Sequence, residues 1–99
     1  MVIVGGSFEL EPSDRDKFVA SRFEMMRTSR AEPGCLEYTF SADPIDPRRV
    51  VLFERWESQA ALDTHIEKLH ARADSPEGVQ PVTSSITFFD VVGERQLGE

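Results

Sequence analysis

The sequence predicts an α+β domain of the ferredoxin-like type, ordered βαββαβ, with a four-stranded antiparallel sheet and two helices on one of its faces. Three observations carry this prediction. Four stretches rich in β-branched and apolar residues alternate with two of helical periodicity. Pro, Gly or Asp punctuates the breaks between them. Finally, the strands show apolar residues on both of their alternating faces, as expected of a sheet covered twice. At 99 residues the chain is read as one domain over 1–99, with a C-terminal tail from about residue 93.

The first strand is "VIVGGSFEL" (2–10), where Gly5 and Gly6 suggest a bulge or the close approach of another group. "SDRD" opens a helix capped by Ser13, with Asp16 near its positive end, running from Asp14 to about Ala31 until "EPG" stops it. Gly34 supplies the turn there. "CLEYTFSA" (35–42) forms the second strand, aligning Leu36, Tyr38 and Phe40 on one face, and "DPIDPRR" (43–49) is a tight connection. The third strand begins at Arg49 and ends at Trp56, and Ser58 caps a second helix through roughly Ala71. "DSPEGVQP" (74–81) is a loop, and "VTSSITFFDVV" (82–92) is the fourth strand.

Val50 to Phe53 are four apolar residues in succession, Ile86 and Phe88 oppose Phe89 and Val91, and Val2 and Val4 oppose Ile3. Two helices shield one face only. The other would be a large bare apolar patch, so a homodimer is expected, packed sheet to sheet about a two-fold axis.

A net charge of −7 argues against nucleic acid or an anionic membrane as partner. No apolar run is long enough to span a bilayer, and no basic-then-apolar opening suggests a signal peptide. One cysteine, Cys35, excludes an internal disulfide and reads as a small hydrophobe. A cytoplasmic location is the simplest expectation. With only two histidines, about 140° apart on one helix, no metal site is expected, and no glycine-rich dinucleotide fingerprint occurs.

"EPGCLEYTF", "DPIDPRRVVLFERWES" and "AALDTHIEKLH" together resemble the antibiotic biosynthesis monooxygenase family of dimeric α+β barrels, over about residues 32–70 with compatible flanks. The resemblance implies a small, dimeric oxygenase. Members include cofactor-free oxygenases of anthrones and quinols, haem-degrading enzymes and enzymes acting on a phosphorylated signal molecule. His65 occupies the family's helix-histidine position and Trp56 its tryptophan position.

The residues themselves allow more than one role. His65, at one edge of the stripe made by Leu62, Ile66 and Leu69, is either a base facing a cavity or a boundary histidine bonded to a carbonyl. His70 stabilises the helix end or contacts substrate. Trp56 walls a flat pocket or anchors the core, and Tyr38 bonds a quinol oxygen or sits at the dimer seam. Arg22 falls inside the apolar arc of Phe18, Val19, Phe23, Met25 and Met26. It either pairs with Glu54, stabilises a substrate anion or extends to water.

The leading expectation is a cofactor-independent monooxygenase joining O2 to a small reduced aromatic such as a quinol or an anthrone. His65 is its base, Arg22 or Tyr38 the charge stabiliser, and Trp56 the wall. The alternatives are a non-catalytic small-molecule binding protein and an isomerase of a phosphorylated ketone met by Arg22, Arg48 or Arg49. Haem degradation fits less well: Ser7, His65 and Ser75 stand where the haem-degrading members place asparagine, tryptophan and the axial histidine.

Overall fold

The strands fall where the hydrophobic pattern places them, within two residues at each end. A computed structural model describes residues 1–71 and 78–98. Its elements are β1 (Val2–Glu9), α1 (Arg15–Ser21), α2 (Phe23–Arg30), β2 (Cys35–Ala42), β3 (Arg49–Trp56), α3 (Gln59–Ala71) and β4 (Thr83–Asp90). The four strands form one antiparallel sheet in the order β2-β3-β1-β4. Residues 74–77 of the expected loop over 74–81, and Ser75 with them, lie outside the described residues.

The expected single helix from Asp14 to Ala31 is two helices. The Ser21 hydroxyl donates back to the Phe18 carbonyl at 2.6 Å, and the Arg22 N–H bonds the Val19 carbonyl one residue short of the α pattern. Both contacts tighten the turn, and Arg22 sits between the two helices at φ −98°, ψ −1°, the loose edge of the right-handed helical region. The break turns Phe23 out to solvent, away from the apolar arc assigned to it, while Met26 stays buried. The helix starts on Asp14 instead of Ser13, with no side-chain cap. On α3 the expected cap is present, the Ala61 N–H donating to Ser58 Oγ at 3.1 Å.

Gly34 closes the α2–β2 turn at φ +84°, a conformation that side chains disfavour. A Cβ there would lie 2.6 Å from Cβ of Ala61. Its carbonyl accepts the Glu57 N–H at 2.8 Å, tying this turn to the start of α3. The register shift between Cys35 and Glu37 is an irregularity in β2 that lifts Leu36 off the buried face, so it does not align with Tyr38 and Phe40 as expected. β1 carries no bulge: Gly5 and Gly6 instead permit the close approach of Phe89 and Ile86 on β4.

The core lies between the helices and one sheet face, built from Val2, Val4, Tyr38, Phe40, Val50, Leu52 and Trp56 beneath Phe18, Met26 and Leu62. The helices pack mainly on β2 and β3, and every β4 residue stays exposed. Ile86 and Phe88 share the helical side of the sheet yet remain 48% and 57% exposed. Among the described residues the three helices therefore leave the β4 edge of that face exposed.

Candidate functional site

Antiparallel register sets the site. Tyr38 on β2 is opposite Glu54 on β3, and Glu54 is opposite Val4 on β1, so all three side chains rise on the helical side. Trp56 rises two residues further along β3. Above them a cavity of about 260 Å³ opens between the helices and the sheet. Phe8, Met25, Phe40, Leu52, Leu69 and Ile86 give it apolar walls. Three polar side chains face it: Arg22, Tyr38 and Glu54. That volume lies just under the usual range of about 300–1,000 Å³ for small-molecule sites, which suits a compact ligand.

Arg22 reaches the cavity because the α1–α2 break sets it at the junction. Its guanidinium lies 4.5 Å from the Phe18 ring centroid, a cation–π contact. Among the described residues it makes no hydrogen bond or ion pair, so of the three roles open to it the pairing with Glu54 does not form. Burial lowers its pKa, opposed by Tyr38. Glu54 is buried and accepts the indole N–H of Trp56 at 2.8 Å through Oε1. Burial raises its carboxyl above the ordinary range, while the Trp56 bond and the nearby His65 pull it down. Tyr38 donates to Met25 Sδ at 3.4 Å. Burial first, then the Glu54 charge, push its phenol well up, against the Ser29 hydroxyl and Arg22. It is a neutral donor across ordinary pH.

His65 is not at the edge of its helix stripe but within it, 2% exposed. Nδ1 meets Glu32 Oε2 at 2.8 Å, and the ring packs 4.7 Å from Trp56 and 5.2 Å from Tyr38, centroid to centroid. Nε2 is buried with no partner among the described residues. His65 and Trp56 thus form a layer behind the cavity, with Tyr38 between the histidine and the open space. His70 is exposed in the last turn of α3 and is not brought to the cavity. Cys35 is half-buried, and burial pushes its thiol up. The pattern reading passed over Glu54 as a site residue, although an acid on the buried face of an apolar strand, two residues from a tryptophan, was the available signal.

Fold and cavity define a small α+β domain with a compact, mostly apolar cavity that one guanidinium and one carboxyl group face. The chain belongs to the antibiotic biosynthesis monooxygenase family, whose pattern matches residues 1–73. It is 33% identical over 66 residues to the uncharacterised protein sll1783 of Synechocystis, covering 67% of this chain and 45% of that protein. The chain thus spans just under half the length of that relative. The structure of Rv0793 from Mycobacterium tuberculosis is similar at 31% identity and TM-score 0.74, covering 96% of this chain and 98% of that one. The haem degrader MhuD of the same organism shares the fold at 16% identity and TM-score 0.75, covering 97% and 100%. No described helix is long and apolar enough to cross a membrane.

Proposed function

We propose that this chain is a cofactor-independent monooxygenase of a small reduced aromatic, a quinol or an anthrone-like phenol, with O2 as the second substrate. The observation that carries this reading is the apolar cavity flanked by Arg22, Tyr38 and Glu54. The substrate provides the electrons. Loss of its phenolic proton leaves an electron-rich anion that reacts with O2; one oxygen atom becomes the new carbonyl and the other leaves as water. An anthrone methylene surrenders its two hydrogens in the process. The protein has to bind a flat ring, hold the developing anion and remove a proton. Arg22, which pairs with no carboxylate among the described residues, meets the anion, and Tyr38 donates a hydrogen bond to it. His65 and Trp56 hold Tyr38 and Glu54 in place from behind. The test is oxygen uptake by purified chain, freed of metal and flavin, over a panel of quinols and anthrones. Uptake matched by one quinone carbonyl per O2 supports the reading, and no uptake across the panel overturns it.

The partner in this account is a second copy. On the face away from the helices, Ile3, Val51, Phe53 and Phe89 make an apolar centre, with Phe53 and Phe89 37% and 51% exposed. Ser7, Thr39, Ser41, Ser85 and Thr87 surround it. Charges stand only toward the strand ends, where Arg55 pairs with Glu37 and Arg49 with Asp43. Two chains of net charge −7 can therefore meet here without facing like charges. Sedimentation equilibrium should report a dimer at micromolar concentration; monomer alone would remove this part.

A further inference from the structure

We propose that Glu54 is the catalytic proton acceptor of the cavity and that Arg22 is the counter-charge to the anion left behind. This rests on the reading of the cavity as a site for phenolic substrates. The two charged side chains face one cavity without pairing with each other, and among the described residues its lining is otherwise apolar apart from the Tyr38 hydroxyl. Glu54 is buried and Arg22 half-buried, and a charge withdrawn from water is costly unless something pairs with it, so a ligand that brings a proton to one and an anion to the other satisfies both. A phenol does this. Its O–H bond breaks, the electron pair stays on oxygen toward Arg22 and Tyr38, and the proton passes to Glu54. Oε1 already accepts the Trp56 indole N–H at 2.8 Å, which leaves Oε2 as the receiving atom.

The fold holds this carboxylate as a base must be held. Trp56 is fully buried, and its ring lies 4.7 Å from His65, whose Nδ1 is in turn fixed by Glu32 at 2.8 Å. The carboxyl is thus oriented by an indole that is itself wedged by an anchored imidazole. Burial makes it more basic than a surface glutamate, the direction a base working near neutral pH needs. His65 does not reach the cavity, so its part is positioning. The groups facing Glu54 from neighbouring elements are Tyr38 and Cys35 on β2, Arg22 at the α1–α2 junction, His65 on α3 and Glu32 before β2.

The probe is 4-nitrophenol, studied at a pH where the free phenol is ionised. Titration calorimetry in two buffers of different ionisation enthalpy measures proton uptake on binding, and the visible spectrum shows whether the bound ring is phenolate. The wild-type chain should take up about one proton per ligand, with the phenolate absorption retained, because the anion drives a proton onto Glu54. Glu54→Gln keeps an acceptor for Trp56 Nε1 and should bind the phenolate with no uptake. In turnover it should lose about 10²–10⁴-fold in rate. Infrared difference spectra of the wild-type chain should show a protonated carboxyl band on binding, a readout that needs no variant. Equal uptake in Glu54→Gln, absence of the carboxyl band, or no saturable binding by the wild type overturns the assignment. Proton uptake without oxygen consumption on any quinol upholds the acceptor and removes the oxygenase reading instead.

Discussion

Gly34→Ala is the sharpest perturbation of the scaffold that carries the site. Two separable costs follow from the geometry. At φ +84° an alanine pays about 1–2 kcal/mol of left-handed backbone strain. Its Cβ would also lie 2.6 Å from Cβ of Ala61, well inside the ordinary carbon–carbon separation of about 3.5–4.0 Å. Relief requires α3 to move off the sheet, an overpacking cost of about 1–3 kcal/mol. The sum is about 2–5 kcal/mol, and each kcal/mol lowers Tm by about 4–8 °C in a domain this small. Urea denaturation reads this directly. Ala61→Gly alone should cost about 1 kcal/mol of helix propensity. Combined with Gly34→Ala it removes the clash and leaves the strain, so the double variant should lie about 1–3 kcal/mol above the additive sum. Gly34→Ala within about 0.5 kcal/mol of wild type, or strict additivity of the pair, would refute the turn geometry. The same turn carries Glu32, so Gly34→Ala should also weaken the Glu32–His65 contact and lower activity.

The remaining predictions concern charge. Burial raises the Glu54 carboxyl in the folded chain. A raised acid contributes stability that is present below its unfolded pKa and lost as pH rises through the folded one. Glu54→Gln should therefore be more stable than wild type near neutral pH, and the difference should vanish in acid below the ordinary carboxylate range. Paired denaturation curves at the two pH values check the sign, and a variant less stable at neutral pH contradicts it. Glu32→Gln should keep a hydrogen bond to His65 but lose its charge. Stability should fall by about 1 kcal/mol, the difference between a hydrogen bond to a charged and to a neutral group, and turnover should fall with KM nearly unchanged. A KM effect alone would show that Glu32 bears on binding and not on positioning.

Much of the fold was legible because strand alternation and turn chemistry agree at each break. Val2 and Val4 against Ile3, and Ile86 and Phe88 against Phe89, divided between the two sheet faces as alternation required. The division of the first helix was not legible, since the apolar pattern runs unbroken through Arg22 and the break depends on a hydroxyl folding back from Ser21. The irregularity at Leu36 was hidden for a similar reason: a single unpaired residue leaves no periodic trace. At the site, Tyr38 and Arg22 reached the cavity. His65 and Trp56 stand behind it and His70 outside it. A periodic pattern gives the face of a helix that turns inward, but not the depth at which each side chain stops.

Filling the cavity tests the account most directly. Ile86→Trp enlarges a cavity wall from an exposed edge strand, where a larger side chain has room to extend without disturbing the core. Oxygen uptake on the best quinol or anthrone should fall at least tenfold while the urea midpoint stays unchanged. Uptake equal to that of the wild-type chain would mean the chemistry takes place elsewhere.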